Sequence, residues 1–398
     1  LTIANGLASD GEDTSVSDGD KGGGIHSSGA YLTLTDVTFS DNTASEMGGG
    51  MFNILGSSPD FTDVTFSGNT AASGGGMYNN NSSPNLTNVT FSSNTASSDG
   101  GGMYNINNSS PGLTDVTFSD NTASESGGGM YNDVNSSPTL SNVTFSGNIA
   151  RYGGGMYNED YSSPLLTNVT FSNNTANSMG GGMYNYRSSP NLTNVTFNSN
   201  TANSDGGGMY NDQFDYSASG VTSPTLTNVT FSGNTARYGG GMYNNPSSIP
   251  TLTNVTFSGN TADNGGGGMY NIGSNPDLTN VTFSSNTADN GGGMYNDSYV
   301  DTFISSPTLT NVTFSGNTAH DGSGGGNGGG MYNASDCNPT LENVILWGDS
   351  AGTSGDEMFN YNSTTIPTIT DSVVAGGCPT TGSSTCTNII TTNPNLDA

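Results

Sequence analysis

Residues 82–105 read SSPNLTNVTFSSNTASSDGGGMYN, and this stretch returns along the chain at a nearly constant interval. GGGMYN occurs ten times, with its Met at 77, 103, 130, 156, 183, 209, 242, 269, 294 and 331. GGGIHS at Ile25, GGGMFN at Met51 and DEMFN at Met358 are degenerate copies. The steps between copies are 26, 26, 26, 27, 26, 27, 26, 33, 27, 25, 37 and 27 residues. A second motif, F-x-x-N, sits between them at Phe39/Asn42, Phe66/Asn69, Phe91/Asn94 and later positions. A fixed period of this length is the mark of a solenoid.

Within one repeat, Pro84 ends a turn and Leu86 begins a strand that continues through Val89 and Phe91. Val89 and Phe91, two residues apart, face one way and Thr90 faces the other. Asn94 turns the chain, Ala96 follows, the glycines bend it again, and Met103-Tyr104-Asn105 forms a last short strand. Gly triplets, β-branched residues and Asn turns leave no run long enough for a helix. Like positions in successive repeats therefore stack as parallel strands. Columns of Leu, Val, Phe, Ala and Met line the interior. Asn at the corners is placed for amide-to-amide ladders, and Gly at the bends supplies positive φ. One coil cannot bury its apolar side alone, but a stack can.

Composition narrows the functions. Among 398 residues there are 60 Gly, 30% apolar residues and 9% charged residues. Net charge is −29, from 33 acids against Lys21, Arg151, Arg187 and Arg237. So few bases leave no basic patch, which excludes nucleic acid as an expected partner. No apolar run reaches the about 18 residues of a membrane-spanning helix.

F-x-x-N paired with GGGM or GGGI resembles the repeat pair of the chlamydial polymorphic outer-membrane proteins. It is also similar to Pmp-like right-handed parallel β-helix repeats of other bacterial surface proteins. The resemblance covers roughly residues 1–360. With the crossover rule, it implies an all-β, right-handed parallel β-helix of about thirteen coils of ~26 residues. Residues 361–398 lose the repeat and are expected to cap the C-terminal side. The resemblance also implies an extracellular or cell-surface location on a bacterium.

Candidate site residues follow from the repeat. If each Met faces inward, its neighbour faces outward. That predicts an aromatic stripe of Tyr78, Tyr104, Tyr131, Tyr157, Tyr184, Tyr210, Tyr243, Tyr270, Tyr295 and Tyr332, with Phe52 and Phe359 at its ends. Such a stripe serves self-stacking, lateral packing or glycan binding. Insertions at 211–222 and 297–304 lengthen the same turn and bring Phe214, Tyr216, Tyr299 and Phe303 to one edge. Solenoid insertions often decorate a binding face.

Catalytic constellations are sparse. Arg151 and Arg237 occupy equivalent RYGGGMYN slots several coils apart, and Arg187 lies in another turn. The adjacent acids are Glu12-Asp13, Glu159-Asp160 and Asp356-Glu357. No polysaccharide-hydrolase signature is present, so no enzyme is expected. His26 replaces a repeat Tyr and His320 opens a Gly-rich insert, with no metal-ligand spacing. No cofactor is therefore expected, save calcium at Asp10, Glu12, Asp13, Asp18 and Asp20, although the EF-hand pattern is missing. Thr arrays such as Thr225/Thr227 and Thr251/Thr253 suggest an ice-matching face. Asp60, Asn85, Gly112 and Leu165 interrupt its first column. Cys378–Cys386 is the expected disulfide, with Cys337–Cys378 the alternative.

The expected function is structural: an exported β-solenoid that assembles into a filament or matrix. Leu1-Thr2-Ile3 reads as a strand with no cap before it, an edge open to a second copy. Partners are therefore the chain itself, head-to-tail or laterally. The alternative is a surface adhesin that binds glycans through the Tyr stripe and inserted loops.

Overall fold

The computed structural model describes residues 1–8, 20–213, 222–299, 303–320, 322 and 325–395. Two compact units divide it, Leu1–Asn191 and Leu192–Ala398. Both have the same architecture, because both are built from the same repeat.

In the first unit a coil runs through Asn85–Ser92, Thr95–Ala96 and Met103–Ile106. Each strand lies parallel to its counterpart one repeat earlier. Leu86 sits beside Phe61, Val89 beside Val64 and Phe91 beside Phe66. Ala96 sits beside Ala71, and Met103 beside Met77. The second unit repeats this register, with Leu226 beside Leu252, Phe231 beside Phe257 and Met242 beside Met269. Three parallel faces result, carrying Leu-Val-Phe, Ala and Met-Tyr-Asn.

Sequence identity between coils decides the packing. Phe91 lies 4.8 Å from both Phe66 and Phe118, ring centroid to centroid, and its ring is nearly parallel to both. Leu86, Val89, Phe91, Ala96 and Met103 are all essentially inaccessible. Burial of each large apolar side chain contributes about 1.5–3 kcal/mol. A low apolar content suffices because every coil uses the same few inward positions.

The predicted Asn ladders are present. Asn94 Nδ2 donates to Phe66 O at 2.9 Å and to Asn121 Oδ1 at 2.9 Å, and its backbone N–H donates to the same Oδ1 at 3.1 Å. A second ladder runs through Asn79, Asn105 and Asn132, each Nδ2 donating to the next Oδ1 at 2.8–2.9 Å. These amides satisfy buried turn groups that water cannot reach.

The glycine triplet has a division of labour that the sequence did not reveal. Only its first member needs a left-handed conformation, as at Gly100 with φ +66°. The second and third are required by space. A Cβ on Gly101 would lie 2.5 Å from Gly128 O and 2.6 Å from Thr122 O.

Beyond residue 360 the GGGMYN motif is gone, yet backbone pairing persists. Thr368–Thr370 lies parallel to Thr340–Glu342 and to Thr385–Thr387. Cys378 and Cys386 form the disulfide, with Cα atoms 6.0 Å apart. Cys337 is a buried free thiol, and burial pushes its pKa up to about 12.

Candidate functional site

The Tyr column is not the exposed stripe that strand alternation predicts. Tyr78, Tyr104, Tyr131, Tyr157, Tyr184, Tyr210, Tyr270 and Tyr332 are buried, and Tyr243 and Tyr295 half-buried. The cause is the chain just before each glycine triplet. Its residues form their own parallel bridges, such as Ser126 to Tyr152 and Asp205 to Tyr238, and some of them pack against the rings. Tyr152 packs edge-on to Tyr184 at 5.9 Å, and Tyr238 edge-on to Tyr270 at 5.2 Å. In the first coil Lys21 lies over Phe52, and His26 continues the column by meeting Phe52 edge-on.

Beneath this cover the rings stack. Centroids are 4.8 Å apart for Tyr78–Tyr104 and 4.6 Å for Tyr104–Tyr131; in the second unit Tyr243–Tyr270 is 5.1 Å. Several hydroxyls reach carboxylates on the following turn. Tyr270 donates to Asp297 Oδ2 at 2.6 Å, Tyr104 to Asp133 at 3.3 Å, and Tyr131 to Glu159. Burial, with these acids second, pushes the Tyr104, Tyr131 and Tyr270 hydroxyls far above their ordinary pKa. Burial also raises Asp133 and Glu159. The column is thus a stacked, hydrogen-bonded support whose rings are mostly covered.

The inserted turns fare differently. Phe214 and Tyr216 lie outside the described residues. Residues 297–304 include a small antiparallel pairing, Ser298 with Ile304 and Tyr299 with Phe303. Phe303 is half-buried and covers Gly273, where a Cβ would meet its Cβ at 2.7 Å. Tyr299 remains 40% exposed. Of the proposed calcium-binding acids, only Asp20 is described, and its Oδ1 accepts from Ser45 Oγ at 2.6 Å.

A different surface emerges on the outer side of the Leu-Val-Phe face. The Thr of V-T-F forms unbroken columns. Thr38, Thr65, Thr90, Thr117, Thr144 and Thr170 are in register in the first unit. Thr196, Thr230, Thr256, Thr282 and Thr313 are in register in the second. Beside them runs an exposed amide ladder. Asn254 donates to Asn228 at 3.1 Å, Asn280 to Asn254 at 3.1 Å, and Asn311 to Asn280 at 3.0 Å. Each of these Asn residues has φ near +55°, which Asn tolerates better than most residues. Sequence reasoning tested only the first Thr of T-L-T and so missed the unbroken column two strand positions beyond the turn.

In the first unit this face carries exposed acids, among them Asp60, Asp63 and Asp115, and Glu342 follows in the last coils, but the coils between are nearly free of charge. On the outward positions of its four coils from Thr225 to Ser315, Asp277 is the one charged residue among the described residues.

Residues 60–218 match the right handed beta helix region family, and residues 254–271 match the Chlamydia polymorphic membrane protein repeat. No curated protein and no solved structure matches the chain. No helix in the described residues is long and apolar enough to cross a membrane. The repeat match suggests a surface or outer-membrane-associated protein. The chain is a right-handed parallel β-helix repeat protein whose repeat is similar to that of the Chlamydia polymorphic membrane proteins.

Proposed function

We propose that this protein is a structural β-solenoid of the bacterial exterior that acts by contact, associating side by side with its own copies into a matrix. The observation that supports this is the hydroxyl- and amide-lined outer face of the Thr225–Ser315 coils, with Asp277 its one outward charge among the described residues. Acidic solenoids repel one another at low salt, and screening at about 0.15 M reduces that repulsion to within roughly 8 Å. The outer face of the Thr225–Ser315 coils is then the surface on which two copies approach most closely. No catalytic step and no cofactor enter this function.

Sedimentation velocity over a salt series tests it. The wild-type chain is expected to shift to larger species as salt rises. Thr251→Asp with Thr308→Asp places acids on either side of Asp277, in a column where the fold already tolerates Asp. The double variant is expected to melt below the wild type, because three acids then stand side by side, but to stay folded at about 25 °C and to remain monomeric at about 0.15 M salt. Association that is undiminished in the double variant contradicts the assignment of this face.

Adhesion to surface glycans is a second reading, favoured by Tyr299, which stands exposed on the inserted turn. Exposed aromatic rings provide apolar contact area for sugars. On an array of bacterial surface polysaccharides, this reading expects a retained glycan with the wild type and a loss of at least about tenfold with Tyr299→Ser, equivalent to ~1.4 kcal/mol. Equal retention of both chains removes it.

A further inference from the structure

One coil departs from the repeat in two places at once. The corner ladder runs from Asn286 to Asn317, with Nδ2 donating to Oδ1 at 2.9 Å, and ends on Asp349. Asp349 Oδ1 accepts from both Asn317 N at 2.7 Å and Asn317 Nδ2 at 2.8 Å. Unlike every Asn before it, Asp349 brings no amide N–H₂ of its own. Glu357 occupies the slot of the third triplet glycine. Its carbonyl receives the Met331 N–H, as the Gly330 carbonyl receives that of Met294.

The two side chains meet. Glu357 Oε1 accepts from Gly348 N at 3.0 Å. The remaining oxygens, Asp349 Oδ2 and Glu357 Oε2, find no donor among the described residues. Both residues are more than nine-tenths buried, at 6% and 8% exposure, and their carboxyls lie within hydrogen-bonding reach of each other. Two buried carboxylates in contact cannot both be charged without a cation.

Among the described residues no cation is placed to help. Arg237, the one Lys or Arg after residue 191, packs over the Tyr238 ring. His320 Nδ1 accepts from Gly322 N in its own turn. The third carboxyl nearby, Asp356, accepts from Ala351 N and adds negative charge beside Glu357. Alongside lies a cleft of about 210 Å³, bounded by Gly355–Met358 on one side and Val374–Thr381 on the other. The second wall carries no titratable group, since Cys378 is in the disulfide.

We propose that Asp349 and Glu357 share a single proton that holds the Gly348–Met358 turn closed, and that losing this proton opens the cleft against the disulfide-bonded segment. The proton bridges the two oxygens that otherwise have no donor. Burial is the main cause raising both acids, and for Asp349 the neighbouring Glu357 charge adds to it. In the unfolded chain both ionise near pH 4. The folded state therefore holds its proton to higher pH than the unfolded state does. The lock is complete below about pH 4 and weakens as pH rises through the folded values. The sequence pairs Glu357 with its neighbour Asp356; the fold pairs it with Asp349, eight residues earlier.

Hydrogen exchange of the full chain, corrected for intrinsic rates and compared at about pH 5 and pH 8, tests this. Wild-type residues 345–381 are expected to lose protection by roughly tenfold or more at the higher pH, while residues 225–270 keep theirs. Asp349→Asn restores the repeat amide, which donates to Glu357 without a titrating proton. This variant is expected to keep its protection at both pH values. Glu357→Gln supplies a donor from the other side, is expected to behave likewise, and serves if the first variant folds poorly. Wild-type protection that does not change with pH overturns the proposal, as does an unchanged pH response in both variants. Protection restored at pH 8 by millimolar calcium, in the wild type but not in Asp349→Asn, also overturns it, in favour of a metal site.

Discussion

Gly101→Ala is expected to abolish folding of the first unit, or to cost more than about 4 kcal/mol where folding survives. The added methyl would lie 2.5 Å from Gly128 O and 2.6 Å from Thr122 O, distances that no Cβ contact sustains. Both obstacles are backbone atoms held in the ladder, so no rotamer change relieves the clash. The whole coil would have to move off its neighbour, and every column of the stack would lose register there. Gly259→Ala is the informative contrast. Gly259 has φ +61°, but an added methyl there would meet nothing within 4 Å, so only backbone strain applies, about 1–2 kcal/mol. Urea denaturation of the two variants separates the demand for space from the demand for a left-handed backbone. Equal small losses in both would contradict close coil-to-coil approach at the triplet.

Asn121→Ala carries the next largest expected cost, about 2–6 kcal/mol. Asn121 Oδ1 accepts from Asn94 N and Asn94 Nδ2, each at 2.9–3.1 Å. Its Nδ2 donates to Phe91 O at 2.9 Å and Asn148 Oδ1 at 3.0 Å. Truncation leaves two buried N–H donors of Asn94 without an acceptor and takes a donor from Phe91 O, while Asn148 Oδ1 keeps the backbone N–H of residue 121 at 3.1 Å, in a place too tightly packed for bulk water. Each orphaned donor costs about 1–3 kcal/mol, which sets the range. The exposed Asn254 makes the same kind of ladder contact to Asn228, yet Asn254→Ala is expected to cost little because water replaces the amide. Thermal melts of both variants measure the difference. A loss at Asn121 no larger than that at Asn254 would show that the inner ladder adds no stability.

The sequence made the interior legible for a simple reason. Leu86, Val89, Phe91, Ala96 and Met103 recur in register, so an inward position in one coil is inward in all. The Asn corners followed from the same logic, because a recurring amide at a turn can only meet its own kind. Tyr exposure was not legible. Alternation correctly separates Tyr104 from Met103, but it says nothing of a third layer. That layer comes from the segment before the glycines, and its path depends on a backbone turn at Gly100 that residue alternation does not encode. The neutral Thr column was present in the sequence as V-T-F, though its value depends on what surrounds it: an amide ladder and few charges. The Asp349–Glu357 contact needed the coils to be laid over one another, after which two acids stand where the repeat has Asn and Gly.

On the proposed reading, copies associate through the Thr- and Asn-lined outer face of the Thr225–Ser315 coils and repel through their acidic turns. Negative-stain electron microscopy of the purified chain at about 0.15 M salt tests this most directly. Side-by-side rafts that disappear with Thr251→Asp and Thr308→Asp are the predicted result. Discrete single particles at every salt concentration, or strictly end-to-end fibres unaffected by those substitutions, would contradict it.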